Sequence, residues 1–175
     1  GYALAKISTY KLCEYISRSN KNYQYKTLVP CNIYGLYDSF TENKSHLIPA
    51  IINKLHYAKI NSEDEVEIWG DGEARREFMF ASDLANAINK AIDDINVLPK
   101  IMNIGAGTDY SINDYYQIIA EVINYKGKFI HNLDKPVGMK RKIVNIDLQT
   151  KWGWQASVSL KEGVEITYKH YLNKI

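Results

Sequence analysis

A tyrosine and a lysine four residues apart open the chain, and such a pair can move a proton. Tyr2 and Lys6 fall in a stretch with helical apolar spacing, which places both side chains on one helix face. A neighbouring ammonium favours the phenolate, and such a tyrosine can exchange a proton with a carbonyl oxygen while hydride moves at the carbon. The lysine can also bond the ribose hydroxyls of a nicotinamide cofactor. A solvated i,i+4 pair is the alternative, because about one Tyr-x-x-x-Lys match is expected by chance in a chain with 14 tyrosines.

Three residues further along have ordinary structural explanations when they are taken alone. His46 precedes a predicted helix and can be a solvated histidine at the helix start. Trp69 can be a core tryptophan, and Arg76 can belong to a solvated charge cluster.

Five helices are predicted to position these residues, from apolar spacing and from capping residues. They cover residues 4 to about 20, 47–55, 84–95, 112–122 and 160–172. Ser82 is expected to cap the third helix at its N-terminus. Ser111 with Asp114, and Ser159 with Glu162, form capping-box patterns ahead of the last two helices.

Short apolar runs between the helices predict strands. They lie at residues 27–29, 66–69, 77–80, 101–104, 128–132 and 143–146, the first of them buried. The Asp-Gly step in Gly70-Asp71-Gly72 predicts a tight hairpin between the second and third of these strands. Gly105-Ala106-Gly107 favours a strand-to-loop turn over a phosphate-binding loop. Strands that alternate with helices of this length predict the α/β class.

The composition is that of a folded globular chain, and it excludes several classes of function. With 46% hydrophobic and 24% charged residues, intrinsic disorder is excluded. A net charge of +2 indicates neither a nucleic-acid partner nor a membrane surface, and no apolar run approaches a span of about 20 residues. Cys13 and Cys31 have no metal-ligand spacing, so we expect no metal site and a reducing cytoplasm. A start in mid-helix without Met predicts a fragment of a longer polypeptide.

The first tyrosine and lysine belong to a series of motifs that resembles the extended short-chain dehydrogenase/reductase family of sugar-nucleotide enzymes. The series begins with Tyr-Ala-Leu-Ala-Lys on a helix and a strand that ends Pro-Cys-Asn-Ile-Tyr-Gly. Within that family, the later motifs resemble the GDP-L-fucose synthases, the GDP-4-keto-6-deoxy-mannose epimerase/reductases. These motifs occupy residues 43–50, 69–72, 75–78, 135–138 and 141–142.

The resemblance implies the C-terminal part of an NAD(P)-binding, Rossmann-like fold with a smaller mixed α/β substrate-binding domain. Residues 1–175 would form one region, with the Rossmann part at about 1–35 and returning segments near 80–105. The Gly-rich fingerprint for the dinucleotide would lie ahead of Tyr2, so residues 1–175 alone are expected to be inactive. The implied activity is NADPH-dependent epimerisation at C3 and C5, and reduction at C4, of GDP-4-keto-6-deoxy-mannose to GDP-L-fucose. Family enzymes are homodimers, and the first helix is a candidate interface.

The same resemblance implies a role for each candidate residue. Tyr2 would protonate the C4 oxygen during hydride transfer from NADPH, while Lys6 would assist Tyr2 and hold the nicotinamide ribose. His46 would lie beside the cofactor and act as the acid in epimerisation. The nicotinamide side of the cofactor site would be lined by Pro30, Cys31, Asn32 and Ile33. The GDP-sugar would be held by Lys54, Trp69 and Arg76.

Three positions depart from the family pattern and leave alternatives open. Val137 stands where Asp is usual, Lys54 where Arg is usual, and Leu36 where Pro is usual. Loss of a carboxylate that bonds a sugar hydroxyl can change the choice of hexose, so a GDP-6-deoxy-heptose is an alternative substrate. A nucleotide-sugar 4-epimerase or dehydratase of the same superfamily is a second alternative. A non-catalytic chain that binds a GDP-sugar or pairs with an intact enzyme is the third.

Overall fold

The computed structural model describes residues 1–41 and 45–175, so Asn43 and Lys44 of the predicted 43–50 motif lie outside the described residues. The helices of the described part are α1 (Tyr2–Ser19), α2 (Leu47–Ile60), α3 (Ala81–Asp93), α4 (Ile112–Ile123), α5 (Asp147–Lys151) and α6 (Leu160–Leu172). Its strands are β1 (Thr27–Pro30), β2 (Asn32–Tyr34), β3 (Glu65–Trp69), β4 (Arg75–Arg76), β5 (Phe78–Phe80), β6 (Ile101–Ile104), β7 (Tyr110–Ser111), β8 (Lys128–Asn132) and β9 (Arg141–Lys142). Over these residues, the helices lack the combination of length and apolarity that a membrane crossing requires.

Strands distant in sequence pair in parallel, which confirms the α/β class. β1 pairs with β6, β2 with β5 and β3 with β8, all in parallel. β4 pairs in parallel with β9 and antiparallel with β7. All five predicted helices are confirmed, and α5 is an additional short one.

The predicted hairpin between residues 66–69 and 77–80 is wrong. Gly70 and Gly72 do adopt positive φ angles of 71° and 73°, so the chain turns where Asp-Gly predicted it. The flanking strands nevertheless take parallel partners from elsewhere, β8 for β3 and β2 for β5. A turn signal reports a local reversal of the chain, whereas strand pairing depends on which distant segments bury the apolar faces.

Two other local predictions are wrong for identifiable reasons. Residues 143–146 form no strand in the described structure, because side chains take their backbone groups: Val144 N–H donates to the Glu77 carboxylate and Asn145 C=O accepts from Asn103. Ser82 does not cap α3, because β5 runs directly into the helix and leaves Phe80 at the N-cap position. The capping box of Ser111 and Asp114 is confirmed, with Asp114 N–H donating to Ser111 Oγ at 3.0 Å.

The strands β2 and β5 separate two hydrophobic cores. Tyr34 and Phe80 pack on one side, into a core built mainly by α2, α4 and α6. Ile33 and Met79 alternate with them and face the other side, into a core with α3 and β6. The end of this strand pair is therefore fixed from both faces, which makes it a rigid place to build a site.

Helix α1 lies on the outside of the fold. Its residues are all described and none is buried, whereas α4 buries five. The side of α1 that carries Cys13 and Ser17 faces Thr27 of β1, and Leu4 and Leu12 point away from it into solvent. The predicted strand at 27–29 exists, but its expected burial is wrong, because Val29 is exposed.

Candidate functional site

A cavity of about 510 Å³ opens where the carboxyl ends of β2 and β5 meet. The starts of α2 and α3 close its sides, and two predicted site residues, Ile33 and His46, line it together. The remaining lining residues are Tyr34, Gly35, Leu36, Tyr37, Asp38, Phe80, Ala81 and Ser82. Ligands of α/β proteins bind at this position, beyond the carboxyl ends of parallel strands.

His46 occupies the N-cap position of α2, with backbone angles φ −74° and ψ 172°. Its carbonyl oxygen accepts the first helical bond from Ala50 N–H at 3.0 Å, and its ring remains exposed at the cavity. The helix therefore fixes the backbone of His46 while the imidazole stays accessible to a ligand. The extended backbone at an N-cap is what presents the side chain away from the helix axis.

The junction between β1 and β2 consists of Pro30, Cys31, Asn32 and Ile33. Cys31 N–H donates to Ile104 C=O at 2.8 Å, which extends the pairing of β1 with β6. Burial, reinforced by the negative charge of Glu77, raises the pKa of the Cys31 thiol to about 12. The thiol therefore remains protonated, as expected of a packing residue and not of a nucleophile.

Glu77 is a buried carboxylate that the sequence did not single out, and it ties this junction to two other loops. It is 1% exposed, and its two oxygens accept from Gly107 N–H and from Val144 N–H, each at 2.9 Å. Its carbonyl accepts from Asn32 Nδ2 at 2.8 Å. Gly105 lets the carboxylate approach, since a Cβ there would lie 2.4 Å from Glu77 Oε1. The glycines at 105 and 107 therefore serve a buried carboxylate, which fits the predicted strand-to-loop turn.

Tyr2 and Lys6 lie together on α1, outside the cavity. Lys6 Nζ is 5.5 Å from the centroid of the Tyr2 ring, and Tyr2 is 80% exposed. By helical spacing they share the side of α1 that carries Cys13, and this side faces the β1–β6 strand pair. The structure thus brings the tyrosine and lysine to each other, and it places neither among the residues that line the cavity.

A second group forms around Trp69 and Arg76, with the loop of residues 133–140 against both. Trp69 is 58% exposed, and Lys135 Nζ lies 5.2 Å from its ring centroid. Gly70 packs on Val137, since a Cβ on Gly70 would lie 2.8 Å from the valine Cγ2. A Cβ on Gly138 would lie 3.6 Å from Arg76 Nη2, so the same loop reaches the arginine. An exposed indole face and two cations therefore share one surface, which suits a ring joined to an anion.

Lys54 lies near this surface, and its ammonium group already donates a hydrogen bond to the backbone. Its Nζ donates to Glu67 C=O at 2.5 Å, two residues before Trp69 on β3. Burial lowers the pKa of Lys54 below its ordinary value, and the nearby Glu67 carboxylate opposes that shift. The lysine links α2 to β3 next to the Trp69 surface.

Asp109 is a second site residue that the sequence did not reveal. It is 7% exposed and bridges two arginines: Arg75 Nη2 donates to Oδ1 at 3.2 Å, and Arg141 Nε donates to Oδ2 at 2.6 Å. Hydrogen bonding by Arg141, aided by Arg75, lowers the pKa of Asp109 to about 2. The local sequence around Asp109 does not indicate an ion pair, because its two arginine partners lie 34 and 32 residues away in sequence.

A profile of the NAD dependent epimerase/dehydratase family matches residues 1–105, more than half of the chain. The chain belongs to this family. The predicted membership in the extended short-chain dehydrogenase/reductases is thereby confirmed.

Relatives with high sequence identity narrow the comparison within the family. The chain is 51% identical over 174 residues to GDP-L-colitose synthase of Yersinia pseudotuberculosis, a match that covers 99% of this chain and 56% of that protein. It is 47% identical over 172 residues to GDP-L-fucose synthase of Azorhizobium caulinodans, covering 98% and 55% respectively. The resemblance to GDP-L-fucose synthases is confirmed. The chain spans about half the length of these relatives.

Solved structures confirm the Rossmann-like fold. A GDP-6-OMe-4-keto-L-xylo-heptose reductase from C. jejuni superposes with a TM-score of 0.87 at 26% identity, covering 98% of this chain and 60% of that one. A GDP-L-fucose synthetase from Naegleria fowleri superposes with a TM-score of 0.86 at 19% identity, covering 98% of this chain and 54% of that one, and it supports the fold alone.

Proposed function

We propose that residues 1–175 are part of an NADPH-dependent enzyme that epimerises C3 and C5, and reduces C4, of a GDP-4-keto-6-deoxy-hexose, with GDP-L-fucose as the product. The observation that carries this proposal is a cavity and a second exposed surface, each with predicted site residues. Ile33 and His46 line the cavity, and the loop 133–140 contacts Trp69 through Lys135 and approaches Arg76 through Gly138. Identity of 51% and 47% to two GDP-sugar synthases supports the GDP-sugar as substrate.

The cavity fits the nicotinamide end of the cofactor. Its apolar lining at Ile33 and Phe80 suits an aromatic ring, and its volume of about 510 Å³ has room for more than a ring. Of the four predicted cofactor residues at the β1–β2 junction, only Ile33 lines the cavity. Pro30, Cys31 and Asn32 would contact the cofactor next to it, and Lys6 would hold the ribose from outside the cavity. NADPH, when bound, supplies the hydride for the reduction at C4.

The protein's own residues would move the protons. Tyr2 would donate its phenolic proton to the C4 oxygen, with Lys6, 5.5 Å from its ring, stabilising the phenolate that forms. His46 would return a proton to the sugar carbon during epimerisation at C3 and C5. Its exposed ring on a fixed helix start supports this role, because the imidazole can turn without disturbing the backbone.

The GDP-sugar would lie on the second surface. The Trp69 face would carry a ring, and Arg76 would bind diphosphate oxygens. Lys54 would add positive charge from beneath, although its bond to Glu67 C=O leaves fewer of its protons for a ligand. Residues 1–35 and 80–105 would belong to the cofactor-binding part, and the two hydrophobic cores support this division.

Two subsidiary proposals concern assembly and location. The enzyme would be a cytoplasmic homodimer that pairs through α1. The outward side of that helix supports this interface, since it exposes Leu4, Leu12 and Tyr15. Exposed apolar side chains grouped on one helix face commonly mark an interaction surface.

Val137 bears on the identity of the sugar. Val137 packs on Gly70 beside Trp69, and its aliphatic side chain cannot accept a hydrogen bond from a sugar hydroxyl. A GDP-6-deoxy-heptose is the second candidate substrate, favoured by superposition on a GDP-heptose reductase with a TM-score of 0.87.

An NADPH consumption assay tests the proposal. Full-length protein that carries residues 1–175 would be mixed with GDP-4-keto-6-deoxy-mannose while NADPH absorbance is followed. We expect consumption with GDP-L-fucose as product, lost in Tyr2→Phe and retained in the matched control Tyr23→Phe, an exposed tyrosine beyond α1. Consumption with a heptose substrate only would replace the hexose. Substrate turnover without net NADPH loss would favour a 4-epimerase, and GDP-sugar binding without any turnover would favour the non-catalytic alternative.

A further inference from the structure

The loop of residues 133–140 is anchored at its two ends and open in the middle. At its start, Asn132 C=O accepts from Gly70 N–H at 2.8 Å. At its end lies β9, a strand of two residues that pairs with β4. Between these anchors the residues are exposed, and their contacts run to Trp69, Gly70 and Arg76.

The second anchor joins two like charges. The register places Arg75 directly beside Arg141 on adjacent strands, and like charges in that position destabilise a sheet. Asp109 offsets this repulsion: its carboxylate accepts from both guanidiniums, and its carbonyl accepts from Arg75 Nη2 at 2.6 Å. Two backbone bonds also join this segment to β4, from Arg75 N–H to Lys140 C=O at 2.8 Å and from Glu77 N–H to Lys142 C=O at 3.2 Å. The ionic bridge adds a side-chain attachment at a position where the paired side chains repel each other.

We propose that Asp109 is a positioning residue for the GDP-sugar: by bridging Arg75 and Arg141 it holds the loop 133–140 against Trp69 and Arg76. This inference rests on the proposed function, which places the GDP-sugar on that surface. Without the bridge, repulsion between Arg75 and Arg141 would oppose the backbone pairing of β9 with β4. The apparent affinity would then fall with the fraction of molecules whose loop is in place.

Electrostatic attraction and a positioning role predict opposite effects of an Asp109 substitution on the binding of an anionic ligand. Asp109→Asn removes one negative charge next to Arg75, Arg76, Arg141 and Lys142. An anionic ligand would then bind more tightly if electrostatic attraction decided the outcome. A positioning role predicts weaker binding despite the added positive charge.

The test measures GDP binding to the full-length protein by isothermal titration calorimetry. We expect Asp109→Asn to weaken GDP binding about tenfold and to leave NADPH binding within about twofold. Asp94→Asn is the matched control: it removes the same charge from a carboxylate that pairs with Lys90 and Trp152, and it should leave both affinities unchanged.

A second variant keeps the test valid if Asp109→Asn fails to fold. Arg141→Lys retains the charge of a half-exposed side chain and loses the two-point bond to Asp109, so it should weaken GDP binding in the same direction by about threefold. Unchanged or tighter GDP binding in these variants would overturn the inference. Wild-type protein that binds no GDP would overturn the proposed function together with this inference.

Discussion

The two proposed ligand surfaces of the molecule are held by different forces. The strands β2 and β5, which end at the cavity, are fixed by backbone pairing and, at their amino ends, by Glu77, a carboxylate that is 1% exposed and accepts from backbone N–H groups. The Trp69 side is held by Asp109 between two arginines whose side chains are 42% and 59% exposed. Buried backbone bonds respond little to salt, whereas half-exposed ion pairs are screened by it. The comparison indicates that the proposed cofactor surface is rigid and that the proposed substrate surface can loosen.

The largest expected effect concerns Cys31 at the β1–β2 junction. A pKa raised from 9.0 to about 12 leaves roughly a thousandfold less thiolate at pH 8. In a Cys13→Ser variant, alkylation of Cys31 by iodoacetamide at pH 8 should be about a hundredfold slower in the folded protein than in urea. Equal rates would contradict a rigid β1–β2 junction that shields the thiol.

Removal of the Glu77 carboxylate should destabilise the fold strongly. Glu77→Ala leaves Gly107 N–H and Val144 N–H without their acceptor in a buried place, so we expect a loss of about 3 kcal/mol in the free energy of unfolding. Urea denaturation measures this loss. Glu73→Ala, an exposed glutamate on the same segment, is the matched control and should change stability by less than about 0.5 kcal/mol.

The Asp109 bridge should be lost in acid. The pKa of Asp109 is lowered from 3.8 to about 2, so the ionised form is the one that the fold stabilises. Its contribution is complete above about pH 4 and falls as the pH drops from 3.8 towards 2. We expect wild type to exceed Asp109→Asn by about 1.5 kcal/mol at pH 6, with the difference shrinking below pH 4 in urea titrations. A difference independent of pH would show that the bridge is not ionic.

The smallest expected effect on stability distinguishes Ser111, which caps a helix, from Ser82, which does not. Ser111→Ala should cost about 1 kcal/mol, because Ser111 Oγ accepts from Asp114 N–H. Ser82→Ala should change the free energy of unfolding by a few tenths of a kcal/mol, because Phe80 and not Ser82 occupies the N-cap of α3. Equal losses in the two variants would mean that Ser82 supports the helix start in some other way.

Local sequence patterns predicted most helices and strands. They did not predict the strand pairing or two of the buried carboxylates, because the residues that contact each other there are distant in sequence. The helices followed from apolar spacing and capping residues, which depend on neighbours within four positions. The pairing of β3 with β8 joins residues more than sixty positions apart, so a turn at Gly70 could not reveal it. For the site, resemblance supplied Tyr2 and His46, while Asp109 and Glu77 stayed hidden because their partners lie 30 or more positions away.

Hydrogen exchange with each ligand alone tests the two-surface account most directly. Full-length protein would be measured by mass spectrometry with NADPH, with GDP, and with neither. The account predicts that NADPH slows exchange around Ile33 and His46, and that GDP slows exchange around Arg76 and the loop 133–140. Protection of the same segments by both ligands, or protection by GDP at the cavity alone, would contradict it.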